Sequence, residues 1–184
     1  MKKKSGKSGD PKALAAPLVR GPRSNKAKGN LAELAFLHKA STLGFGVAKP
    51  YGDDEHYDFI LDSGERLWRV QVRSTSHKRP SPHSGYVVST CRHNHRYEIT
   101  TYQPGEIDIF AVYIVPLDIW YIIPINQLAS AHNLGLHPSG CRGGGSFEAF
   151  REAWHLMAPG ADLPPPRAQR QVPAPSLHRK RFVE

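Results

Sequence analysis

The chain has 184 residues, of which 25 are Lys or Arg and 16 are Asp or Glu, for a formal charge of +9 at neutral pH. A chain of this length buries one ordinary core, and the positive excess favours nucleic acid or another polyanionic partner. Two cysteines exclude a disulfide-built scaffold, and no apolar run approaches the roughly 20 residues that span a bilayer, so neither a secreted cystine framework nor a membrane helix is expected.

Residues 1–24 are rich in Lys, Gly, Ser and Pro, carry positive charge without the apolar core of a secretory signal, and read as a disordered basic tail. A cytoplasmic location follows as the expectation. Lys28 to Ala40 then reads as a helix, with Asn30 as its cap and Gly44 as its stop. Glu33 stands out in it, because Ala32, Leu34, Phe36 and Leu37 surround it with apolar side chains. A carboxylate at the edge of a buried face needs a partner or a metal, although a surface Glu favoured by the first turn of the helix would read the same way.

The next segment is the most informative. Tyr57 to Leu61 is aromatic and β-branched, Asp62-Ser63-Gly64-Glu65 is turn chemistry, and Leu67 to Val72 alternates apolar and polar residues. With Ser63 and Gly64 as a two-residue loop, Asp58 falls opposite Arg69, and Asp58, Arg69, Gln71 and Arg73 share one face while Trp68, Val70 and Val72 point into a core. Diagonal neighbours across such a pair lie roughly 7–8 Å apart, close enough for the Asp58 carboxylate and the Gln71 amide oxygen to meet on one cation. A hairpin with one solvated polar face is the alternative reading.

Further along, Gly85 to Thr90 and Ile107 to Val115 read as strands, and Pro116-Leu117-Asp118 turns into a third, Ile119 to Ile123. Asn126 to His132 reads as a short helix, and Ser146 as the cap of a longer one, Phe147 to Met157, which stops at Pro159-Gly160. Residues 159–184, with Pro164-Pro165-Pro166 and Arg179-Lys180-Arg181, read as a second disordered tail. The expected fold is α/β, a single mixed β-sheet flanked by helices, occupying residues 25–158. Other features carry less. Cys91-x-His93-x-His95 matches no common zinc spacing, Gly143-Gly144-Gly145-Ser146 lacks the Lys of a phosphate loop, and no Gly-x-Ser-x-Gly elbow is present.

Taken in order, Gly29-Asn30-Leu31-Ala32-Glu33 on a helix, Tyr57-Asp58-Phe59 on one strand and Val70-Gln71-Val72-Arg73 on the next resemble the PD-(D/E)XK nuclease superfamily. More narrowly they resemble its bacterial endonuclease branch related to a group I intron homing endonuclease, in which Gln replaces the acidic residue of the third motif. Asp108 to Tyr113 followed by Ile119 to Pro124 is similar to that branch's closing strand pair, so the resemblance covers roughly residues 26–128. It implies a restriction-endonuclease-like core that hydrolyses DNA phosphodiester bonds with Mg²⁺, for which Mn²⁺ substitutes. Asp58, Gln71 and Glu33 would be the metal ligands, with the Val72 carbonyl completing the shell.

Arg73 stands where the family carries a catalytic Lys. An arginine stays protonated, so it stabilises charge and clamps phosphate but cannot act as a base. Arg66, Arg69, Lys78 and Arg79 cluster around the same segment, where a phosphate backbone would have to lie, and are expected to contact nucleic acid. Three readings stay open: a metal-dependent DNA endonuclease, a catalytically degenerate module of that fold that binds nucleic acid without cleaving it, and an RNA-binding protein that works through its tails. Since a double-strand cut needs two active sites, the resemblance implies a homodimer or tetramer.

Overall fold

The hydroxyl oxygen of Ser24 accepts the Ala27 amide at 3.1 Å and so starts helix α1 (Asn25–Thr42) by satisfying one of its orphan donors. The computed structural model describes residues 24–52, 54–79, 85–93, 98–128, 132–140 and 145–166. Ala32, Phe36 and Ala40, spaced four apart, form the buried stripe of α1, and Gly44 at φ +91° ends it. The helix begins three residues before the expected Lys28, and its cap is Ser24 rather than Asn30. Its first turn, Asn25-Lys26-Ala27-Lys28, carries no large apolar side chain, so hydrophobic periodicity has nothing there to report.

The strands are β1 (Gly46–Ala48), β2 (Phe59–Asp62), β3 (Leu67–Thr75), β4 (Tyr86–Ser89), β5 (Cys91–His93), β6 (Ile99–Thr101), β7 (Ile109–Ile114), β8 (Ile119–Pro124) and β9 (Asn133–Leu136). Five of them make a mixed sheet in the order β1-β2-β3-β7-β8, in which only β3 and β7 run parallel. A parallel neighbour needs a crossover, and here it carries β4, which pairs with β9, and the antiparallel ribbon β5–β6. The expected single sheet is thus the central one of three among the described residues.

Both faces of the central sheet are covered. On one side Phe59, Leu61, Trp68, Val70, Ile109, Ala111, Trp120 and Ile122 pack with α1, and on the other Phe110, Val112, Ile114, Tyr121 and Ile123 pack with Leu134, Leu136 and Phe150. That is why β7 and β8 read as continuous apolar runs. Phe36 is the hub of the helical side, with ring centroids 5.3 Å from Phe59, 5.7 Å from Trp120 and 5.6 Å from Trp154.

The β2–β3 hairpin differs from expectation by two residues of register. Ile60, not Asp58, lies opposite Arg69, and Leu61 lies opposite Trp68. The loop runs over four residues, because Ser63 donates its amide to the Arg66 carbonyl at 3.1 Å and Asp62 accepts the Gly64 amide at 2.7 Å, with Gly64 at φ +86°. A slip of two leaves every side chain on its expected face, so the polar set survives and Asp58 moves from a diagonal position to one facing Gln71.

Two expected helices are absent among the described residues. Asn126 to His132 yields only the 3₁₀ turn Ile125–Gln127, residues 129–131 lying outside the description. In place of Phe147 to Met157 stand two 3₁₀ turns, Glu148–Phe150 and Trp154–Met157, so Ser146 caps no helix. Glu152 breaks the run at φ 48°, and its carboxylate accepts the Trp120 amide at 2.7 Å and the Trp154 indole N–H at 2.9 Å. Those two buried donors outweigh the local helical preference. Residues 159–166 also join the fold: the Pro164 carbonyl accepts Asn126 Nδ2 at 3.0 Å, Pro165 accepts Gln127 Nε2, and Leu163 packs on the helical core. The rest of both expected tails, residues 1–23 and 167–184, lies outside the described residues, as do His95, Gly143 and Gly144. No helix among the described residues is long and apolar enough to cross a membrane.

Phe36→Ala should lower unfolding free energy by about 3–5 kcal/mol, since it empties the aromatic hub, and urea denaturation followed by tryptophan fluorescence measures the loss.

Candidate active site

Asp58 lies just before β2, where it leaves the ladder: its amide donates to the Val70 carbonyl at 2.9 Å, while its carboxylate turns along β3. Oδ2 accepts the Val72 amide at 2.7 Å and Gln71 Nε2 at 2.5 Å. Gln71 is buried at 4% exposure, and the same Nε2 reaches the Val72 carbonyl at 3.3 Å. Arg73 Nη1 approaches that carbonyl too, at 3.4 Å. Two oxygens, Asp58 Oδ2 and Val72 O, therefore converge on a point that N–H donors now fill.

Burial pushes the Asp58 carboxyl above its ordinary pKa, the Val72 amide pulls it back, and Glu33 raises it further by like charge against the opposing pull of Arg73 and Lys49. Glu33 thus acts on Asp58 from α1, although the two belong to different elements. Its Oε2 accepts Lys49 Nζ at 2.6 Å, and it shares with Lys28, Gly29, Val72 and Arg73 the wall of a groove of about 410 Å³. The helix with its Glu and the strand with its Arg are the two banks of one cleft.

Of the four basic residues expected to touch nucleic acid, two are engaged within the fold. Arg69 reaches Asp108 through its amide at 2.9 Å, Nε at 3.1 Å and Nη2 at 3.2 Å, and donates Nη1 to the Gly105 carbonyl. Arg66 stands 3.5 Å from Asp108 and lies over the Trp68 ring at 3.9 Å. Together they hold the segment ahead of β7 against β3. Lys78 and Arg79 are exposed at the mouth of a bridge to Gly85 and Tyr86.

Sequence reasoning missed Lys49 and Tyr102. Tyr102 is buried and its phenol oxygen accepts Arg73 Nη2 at 2.5 Å. It follows a short polar stretch with no periodicity, and nothing in the spacing ties it to Arg73, 29 residues earlier.

The donor set suits a hard divalent cation. Asp58 offers a carboxylate, Val72 a backbone carbonyl, Gln71 an amide oxygen once its side chain turns over, and Glu33 a second carboxylate across the cleft. Oxygen-only sites with one or two carboxylates and the remainder water are the usual choice of Mg²⁺. Among the described residues no group of three or more His, Cys, Asp or Glu is arranged for a metal, so neutral oxygens have to complete the shell.

The sequence pattern of the PD-(D/E)XK endonuclease family matches residues 23–156, a span that includes Glu33, Asp58, Gln71 and Arg73. The chain belongs to the PD-(D/E)XK endonuclease family. Among solved structures it is similar to a bacterial homing endonuclease, I-Ssp6803I, with 32% identity and a TM-score of 0.63 over 73% of this chain and 93% of that one. No curated protein matches the chain. PD-(D/E)XK endonucleases generally act on DNA with divalent metal ions, which agrees with an oxygen-lined cleft and a positive chain.

The raised pKa of Asp58 fixes the sign of a stability effect. At neutral pH the ionised carboxylate is less well tolerated folded than unfolded, and the penalty disappears as pH falls through the folded pKa toward the unfolded value. Asp58→Asn should therefore melt above wild type at neutral pH in metal-free buffer, and calorimetry at successively lower pH should show the gap closing.

Proposed function

We propose that this protein is a DNA endonuclease that hydrolyses phosphodiester bonds with Mg²⁺, and with Mn²⁺ in its place, at the cleft between α1 and β3. The observation that carries the reading is the convergence of Asp58 Oδ2 and Val72 O on a point stabilised by donors from Gln71 and Arg73. An oxygen pair that gathers N–H groups is a place where positive charge is wanted. Asp58, Val72 O and the Gln71 amide oxygen would hold the cation, and Glu33 would hold it or a water beside it. When bound, the cation supplies Lewis-acid polarisation of the phosphate and acidifies water.

The chain's own groups do the rest. Arg73 donates its guanidinium N–H groups to the non-bridging phosphate oxygens, where charge grows as the bond to the nucleophile forms. It removes no proton. Glu33, held by Lys49, orients the attacking water from the α1 side of the cleft. Lys28 extends the groove beyond Arg73 with a phosphate contact, and Lys78 and Arg79 lengthen the basic track. Arg66 and Arg69, matched by Asp108, shape the track's border and lend donors to phosphate only from their exposed edges. We further infer a cytoplasmic protein that cuts both strands as a homodimer or tetramer.

The arginine favours a second reading, a module that binds nucleic acid and no longer cuts it, because the lysine of the family motif is replaced. Supercoiled plasmid incubated with Mg²⁺, Mn²⁺ or EDTA separates the two. The enzyme reading expects metal-dependent nicking or linearisation, with losses on the order of 10²-fold or more in Asp58→Ala and Glu33→Gln. In Gln71→Glu, an added carboxylate should lower the metal concentration needed for half-maximal rate. DNA binding without cutting in every metal, with activity gained by Arg73→Lys, would establish the second reading instead.

A further inference from the structure

A lysine ammonium can rotate its three donors to meet a phosphate, whereas a guanidinium donates only in its own plane. With Arg73 in the lysine position, the site needs something to set that plane. Tyr102, directly after β6, meets the need: its phenol oxygen accepts Arg73 Nη2 at 2.5 Å, and the guanidinium lies 5.8 Å from its ring centroid. The ring is only 7% exposed and packs against Phe110 at 5.8 Å, so the oxygen has a fixed address. Arg92 lies 5.6 Å from the centroid of the same ring. Arg92 is itself held, donating Nη2 to Glu106 and standing 3.3 Å from His56 Nδ1. Burial keeps the Tyr102 hydroxyl protonated against the pull of the two guanidinium groups, so it remains a neutral acceptor.

We propose that Tyr102 is a positioning residue of this site, fixing the Arg73 guanidinium in the plane that meets the scissile phosphate. The role rests on the phosphodiesterase reading above and makes the β5–β6 ribbon part of the active site, since that ribbon carries Arg92 and delivers Tyr102 to β3. A buried ring alone would fill space equally well as phenylalanine. What the hydroxyl adds is one bond to one nitrogen of Arg73.

Tyr102→Phe removes that bond and leaves the ring in place. Plasmid cleavage by Tyr102→Phe should show kcat reduced about 10-fold or more with a smaller change in KM, at an unchanged melting temperature. In an Arg73→Lys background, where no plane has to be set, the same substitution should cost less than about 2-fold, because the two positions couple. In parallel, nitrogen-15 spectra of the arginine side chains should resolve Arg73 Nη–H signals in the wild type that merge in Tyr102→Phe. An undiminished kcat, or an equal loss in both backgrounds, would overturn the proposal. If the wild type cleaves nothing, the phosphodiesterase reading falls by itself; merging of the Arg73 signals would still support the tyrosine's hold, and unchanged signals would refute it.

Discussion

A single half-buried carboxylate, Asp58, sets the terms for the candidate cleft. It is partly shielded from bulk water, and it sits against a backbone N–H, an amide and the field of Arg73, which together make its charge tolerable. Their positions come in turn from the β2–β3 hairpin. Displacing the pairing by one residue would turn Gln71 and Arg73 into the α1 core and Val70 and Val72 toward the cleft, and the oxygen pair would not form. The register is held by burial of Leu61 and Trp68 on one face and by the four-residue loop at the tip.

The sheet holds the hairpin from its far side. β7 runs parallel to β3 from Val70 onward, and Asp108, just before it, grips both the main chain and the guanidinium of Arg69. Asp108 also accepts the Ile125 amide through its carbonyl, so one residue joins β3, the start of β7 and the turn after β8. Arginines that composition alone would assign to phosphate are here part of the scaffold. Positive charge in this chain is therefore partly spent on its own fold.

Strong local patterns made the fold readable from sequence. The apolar runs of β7 and β8, the hairpin and the Phe36 stripe of α1 all announce themselves by period or by continuity. The grouping of Glu33, Asp58, Gln71 and Arg73 was legible because three of the four lie on one hairpin face, where parity survives a two-residue error in register. What failed depended on distant partners. Ser24 caps a helix whose first turn carries no periodicity, and the run after Ser146 gives way because Glu152 answers two tryptophan donors far away in sequence or around a tight bend. Tyr102 was invisible for the same reason: its contact with Arg73 is one that no local spacing encodes.

The central claim is that Asp58, Gln71 and Val72 make an oxygen site for a divalent cation, and diffraction from Mn²⁺-soaked crystals at the manganese absorption edge tests it most directly. The account predicts one anomalous peak between the Asp58 carboxylate and the Val72 carbonyl, with the Gln71 amide turned so that its oxygen, not its nitrogen, faces the ion. A crystal saturated with Mn²⁺ that shows no peak there, with Gln71 Nε2 still on Asp58, would contradict it.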